Sequence, residues 1–191
     1  MKITTNQTQD TTVYFVPADG ALDMLSNDVA DYALNTLDFK GKINETFIHI
    51  GPNTDNSVLI GLGVESKLTK DHFVNAANTA AKVLNKQKVT STSVQLTSYN
   101  TVDAEAVLQG VVEGFLQADY SFDTNKKDKT NNRLKTVSIL SDSDNADELV
   151  KETVNILNSV NLTRDLVNTP ANDLYPETLV DKVEEAFKDT A

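Results

Sequence analysis

Few groups of residues in this chain have both the types and the spacing that chemistry requires. Gly61-Leu62-Gly63 follows an apolar run, as a phosphate loop would. A dinucleotide fingerprint needs a third glycine where Ser66 stands, so these glycines read as strand punctuation. Asp142, Asp144 and Asn145 suggest a calcium loop only faintly. Ala146 and Asp147 occupy the places of an oxygen ligand and the turn glycine, and acids at a helix start explain the pattern better. His49 and His72 are far apart, with no carboxylate at metal-ligand spacing beside both, and read as ordinary histidines. There is no Gly-x-Ser-x-Gly elbow to single out a serine nucleophile, and the absence of cysteine removes thiolate chemistry and disulfides. Lys126, Lys127, Lys129, Arg133 and Lys135 place five of the 17 basic residues in one loop and its exit. Without interleaved aromatics they read as a solvated loop rather than a nucleic-acid platform.

The elements behind these residues follow an alternating pattern. Val13 to Val16 form a buried strand closed by Pro17, and the apolar spacing from about Gly20 to Phe39 (Leu22, Leu25, Val29, Tyr32, Leu34) predicts a helix. Phe47 to Ile50 and Val58 to Ile60, separated by turn-rich Asn53 to Asn56, predict a hairpin-like pair. Phe73, Ala77, Ala80, Ala81 and Leu84 make the clearest helical stripe, its alanines suited to close packing on a sheet. Val94 and Leu96 predict a strand, and Thr101 a cap for a helix carrying Leu108, Val111 and Phe115. In that helix Gly110 and Gly114 imply a close approach to the sheet. Val137 to Leu140 predict another strand. Asn145 with Glu148 suggests a capping box for a last long helix through Leu149, Ile156 and Val160 toward Val167.

The expected fold class is therefore α/β, a layered mixed β-sheet flanked by helices and followed by a long linker helix. A net charge of −11 opposes phosphate backbones and anionic lipid. No apolar run approaches a membrane span and Met1 to Phe15 lack a signal pattern, so the cytoplasm is the expected compartment.

One stretch organises the rest. Asn161-Leu162-Thr163-Arg164-Asp165-Leu166-Val167-Asn168-Thr169-Pro170-Ala171-Asn172 reads as the last turns of that helix and a break enforced by Pro170, with a new helix starting at Pro176. Its wording resembles the linker of the leucyl (cytosol) aminopeptidase family. Ile60-Gly61-Leu62-Gly63, Val112-Glu113-Gly114 and Tyr120-Ser121-Phe122-Asp123 resemble further segments of that family in the same order. Tyr175 departs from the family's usual Thr before the Pro-Glu helix start, and Asn125-Lys126 from its Tyr-Lys pair, which marks a divergent member.

The resemblance implies a macro-domain-like N-terminal domain at residues 1–143, a connecting helix at 144–169 and a truncated start of a catalytic domain at 170–191. The chain would then be an expressed fragment or a truncated gene product. It implies a noncatalytic scaffold or oligomerisation role, with the chain's own catalytic domain and the other subunits of a family hexamer as partners. Two divalent metals, Zn or Mn, are expected in the missing catalytic domain and no cofactor here. The family's metal-ligand segments are not matched. Asn53-Thr54-Asp55 and Asp103-Ala104-Glu105 resemble one of them only in part, so no catalytic, cofactor or metal residue carries over. The residues carried over are those of the linker: Arg164, Asp165, Asn168, Thr169, Pro170, Ala171 and Asn172. Rival readings are a nucleotide- or ADP-ribose-binding macro-like module and a DNA-contacting regulatory domain, the latter opposed by the net charge. The helix at 144–169, without its partner, is expected to present apolar surface.

Overall fold

Alternating apolar strands and amphipathic helices assemble into a single six-stranded sheet with order β1-β6-β5-β2-β4-β3. The computed structural model describes residues 1–18, 32–33, 37–51, 56–124, 126–127 and 130–188. Its strands are β1 (Lys2–Thr5), β2 (Thr11–Pro17), β3 (Thr46–His49), β4 (Asn56–Gly63), β5 (Ser91–Gln95) and β6 (Thr136–Leu140). Its helices are α1 (Lys70–Lys86), α2 (Ala104–Asp119), α3 (Ala146–Asn168) and α4 (Pro176–Phe187). Neighbouring strands are parallel except β3, which runs antiparallel to β4 with Thr46 opposite Ile60 and His49 opposite Ser57. That pair is the hairpin-like unit expected, although its turn at 52–55 lies outside the described residues. So does most of the helix expected from about Gly20 to Phe39. Of its residues Ala33 is buried with Phe39, Phe47 and Leu59.

The strand period of two divides the core between the faces of the sheet. Val13 and Phe15 of β2, with Val58, Ile60 and Leu62 of β4, join the large cluster under the helices. Val16 and Leu59 point to the smaller cluster on the other side. β1 escapes the sequence reading because an edge strand of Lys2-Ile3-Thr4-Thr5 has no apolar alternation to reveal it, and none of its residues is buried. It adds to β6 with Lys2 beside Thr136 and Thr5 beside Ile139.

The β4–α1–β5 and β5–α2–β6 crossovers progress across the sheet in the same direction, so one handedness puts α1 and α2 side by side on one face. This corrects the reading of Gly110 and Gly114, which meet α1 and not the sheet. A Cβ at Gly114 would lie 2.2 Å from the Val74 carbonyl oxygen and 2.7 Å from the Ala77 Cβ, and one at Gly110 would lie 2.9 Å from the Lys70 carbonyl oxygen. The alanine stripe of α1 is thus shared between sheet and helix. Phe73 completes the contact, edge-on to Phe15 at 6.3 Å and to Tyr99 at 4.9 Å.

Two expected caps differ. Asp103, not Thr101, caps α2, accepting from the backbone N–H groups of Glu105 (3.1 Å) and Ala106 (3.4 Å), while the Thr101 hydroxyl donates to the Glu65 carbonyl at 2.8 Å. Asn145 makes no side-chain cap on α3. Its amide donates to Glu105 Oε1 at 2.8 Å, so it ties the starts of α2 and α3 together instead.

Gly114 yields a signed prediction. Helix propensity alone favours alanine over glycine by about 1 kcal/mol, whereas overpacking costs about 1–3 kcal/mol, and a carbonyl at 2.2 Å has no free rotamer by which to yield. Gly114→Ala should lower the urea midpoint, and Gly110→Ala should lower it less. A raised midpoint for Gly114→Ala would contradict this helix contact.

Candidate functional site

The first half of α3 belongs to the core through Ala146, Leu149, Val150, Thr153 and Leu157. Beyond Leu157 no described residue is buried. At 1.5 Å per residue the helix runs about 16 Å further, to Asn168. What holds this overhang is Tyr120, the residue that ends α2. Its hydroxyl donates to Asp165 Oδ1 at 2.9 Å and accepts from Asn168 Nδ2 at 3.2 Å. The Arg164 guanidinium carbon stands 3.9 Å from the centre of its ring, well within cation–π range.

The linker residues therefore divide into two groups. Arg164, Asp165 and Asn168 converge on one tyrosine. Thr169 ends the helix, its hydroxyl donating to the Asp165 carbonyl at 2.6 Å. Pro170 starts a turn in which its carbonyl accepts from the N–H groups of Asp173 and Leu174, both at 2.9 Å. Ala171 and Asn172 are exposed, and Asn172 bonds only to neighbouring Asp173. Pro176 then occupies the first helical turn, where a missing N–H is harmless. Tyr175 supplies no short hydroxyl there. Instead the Thr178 hydroxyl accepts the Tyr175 N–H at 3.0 Å. A cleft of about 480 Å³ lies beside this junction, lined by Phe122, Asp165, Thr169, Pro170, Asp173 and Lys182 among others.

The remaining candidates are placed elsewhere. Gly61 and Gly63 let the chain at 41–45 cross β4. A Cβ on Gly61 would lie 2.0 Å from the Lys42 carbonyl oxygen, and Gly63 takes a φ of +80°. Backbone bonds from Gly61 and Gly63 to Glu45 and Gly41, both 2.8 Å, consume the N–H groups that a phosphate would need. His72 Nδ1 accepts the Thr69 N–H at 3.2 Å at the start of α1, and His49 meets Tyr32 edge-on at 6.5 Å on the edge strand. No cluster of three or more His, Asp and Glu among the described residues is arranged to hold a metal ion. Past the ends of β5 and β6, a cleft of about 230 Å³ is lined by Thr97, Ser98, Ser141, Asp142 and Ser143, with no cation among its lining residues. Where the strand order changes direction, between β2 and β5, Tyr99 donates to the Phe15 carbonyl at 2.9 Å. Burial pushes its phenol up to about 12, so it stays neutral.

Of the basic loop, Lys126 pairs with the buried Asp123 at 2.8 Å, and Lys129 lies outside the described residues. Asp123 also accepts the Thr130 N–H at 2.6 Å. This is the Asp of Tyr120-Ser121-Phe122-Asp123, so that segment anchors its loop at one end and the linker helix at the other.

Residues 13–129 match the model of the cytosol aminopeptidase family, N-terminal domain. The chain belongs to this family. Cytosol aminopeptidase relatives include proteins named "Probable cytosol aminopeptidase" from Clostridium tetani, 31% identical over 158 residues, and Treponema denticola, 33% identical over 144 residues. These alignments cover 81% and 74% of this chain but 33% and 30% of those proteins. The chain thus spans about a third of the length of the curated relatives it matches. Two solved structures share the fold. Tomato leucine aminopeptidase, in a mutant form, superposes with TM-score 0.77 at 20% identity, over 99% of this chain and 43% of that one. The bottromycin maturation enzyme BotP in complex with Mn superposes with TM-score 0.74 at 19% identity, over 94% and 36%. No helix among the described residues is long and apolar enough to cross a membrane.

The Asp123 cluster gives a pH test on this family domain. The Lys126 ammonium and the Thr130 hydroxyl and N–H hold its carboxyl well below the usual carboxylate range. A lowered native value means that the stabilisation is complete above the unfolded value of about 3.9 and is lost as pH falls below it. The melting-temperature gap between the parent and Asp123→Asn should be full at neutral pH and shrink below about pH 4. A gap independent of pH would show that the charge contributes nothing.

Proposed function

We propose that this chain is the noncatalytic N-terminal scaffold domain of a metal-dependent leucyl aminopeptidase, and that it positions the catalytic domain and helps build the oligomer. On this reading residues 1–143 are the domain, 144–169 the connecting helix and 170–191 the first part of the catalytic unit. The parent would remove N-terminal amino acids from peptides in the cytoplasm. The described residues do not fit the pair of divalent metals, Zn or Mn, that the resemblance implies. His72 is engaged as a cap, His49 lies at an edge, and the acids are dispersed in caps and ion pairs. The metals are accordingly assigned to the further domain.

The observation that carries this reading is the state of α4. It buries none of its residues, yet Leu179, Val180 and Val183, at i, i+1 and i+4, are 39%, 54% and 39% exposed. A helix of this length is marginal in water by itself, so the exposed side of Leu179, Val180 and Val183 calls for more cover than the described residues give it. Val160 and Val167 on the overhang of α3 are exposed as well.

The pure chain should show no hydrolysis of leucine p-nitroanilide with Mn²⁺ or Zn²⁺ added. Robust, metal-dependent turnover by this chain would overturn the proposal.

A further inference from the structure

We propose that Tyr120 is a latch that sets the direction in which the chain leaves the domain, so that rigid linkage persists to Asn168 and the hinge begins only at Thr169. The inference deepens the scaffold reading and takes its purpose from it, since a scaffold positions a following unit only if the connection between them is stiff.

Three observations converge. The overhang past Leu157 has no buried residue, and Leu162 and Leu166 are only half-buried, so packing holds it more weakly than the first half of α3. Among the described residues, the side-chain hydrogen bonds between this overhang and the rest of the domain both end on the Tyr120 hydroxyl, which donates one and accepts the other. Arg164 covers the ring, so the face, the donor and the acceptor of one side chain are each engaged by a different linker residue.

The placement of charge supports the same conclusion. A carboxylate in the last turn of a helix opposes the macrodipole, and α3 has no basic residue in its last turn to offset it. Asp165 is unfavourable for the helix alone and becomes favourable through its bond to Tyr120. The reach of tyrosine also matters. α2 and α3 are joined at their starts by Asn145 and Glu105, and α3 continues well past the end of α2. A long side chain from the residue after α2 closes that gap. Past Thr169 no comparable tie to the domain follows among the described residues: the bonds of the Pro170 carbonyl, Asn172 and the Asp173 carbonyl all stay within residues 170–178.

The chain has no cysteine, so spin labels can be placed cleanly at Lys82→Cys on α1 and Thr163→Cys on the overhang, both exposed. Double electron–electron resonance on the whole chain should give one narrow distance. Tyr120→Phe, which keeps the ring and removes both hydrogen bonds, should roughly double the width of the distribution, and Tyr120→Ala should widen it further. Asp165→Ala combined with Asn168→Ala removes both partners of the Tyr120 hydroxyl, changes residues outside the core and should reproduce the Tyr120→Phe width, which keeps the test valid if the Tyr120 variants fold poorly. Circular dichroism separates loosening from unfolding. Unchanged widths in the folded variants would overturn the latch. Because no catalytic domain takes part, such a failure would leave the scaffold reading standing.

Discussion

The close approach of α2 to α1 at Gly114 is the constraint from which the functional end of the molecule follows. With no Cβ at that position the Val74 carbonyl comes within 2.2 Å of where one would be, and the two helices share a single face of the sheet. That seating fixes where α2 ends. Its end carries Tyr120, and Tyr120 fixes the overhang of α3. A substitution at the helix contact would therefore be felt some distance away, through the position of one phenol, without touching the linker itself.

Seen this way, two family segments that are separate in sequence form one physical unit. Tyr120 and Asp123 lie three residues apart at the exit of α2, and each resolves a different problem. Asp123 gathers Lys126 and Thr130 and so organises a polar loop that has little apolar content of its own. Tyr120 receives Arg164, Asp165 and Asn168 from the linker. The polar residues of a linker would otherwise be free to favour loops and turns; here they help hold a helix to a domain against which it is only half-buried.

Much of the fold was legible because apolar periodicity reports directly on burial. β2, β4, β6 and the stripe of α1 follow it, and so does the first half of α3. The misses have specific causes. β1 is an edge strand of polar and β-branched residues, with no period to detect. Gly110 and Gly114 announce a close approach but not its partner, which depends on crossover handedness. Asn145 fits a cap by spacing, yet its Oδ1 accepts the Ser143 hydroxyl and its Nδ2 donates to Glu105, forty positions earlier. At the site, the motif residues were visible as words while their common target was not. Nothing local in Arg164-Asp165 points to Tyr120. The one available signal was an acid placed near a helix C-terminus against the dipole.

On the proposed reading a packed domain ends near Leu157, a latched helix carries on from it, and α4 presents an apolar side to a further unit. Hydrogen exchange followed by mass spectrometry on the dilute chain tests this most directly. Exchange should be slow through residues 146–157, intermediate at 158–168 and fast across Pro176–Phe187, where no residue is buried. Protection of α4 equal to that of the core in a monomeric sample would contradict this reading, because its apolar side would then already be covered.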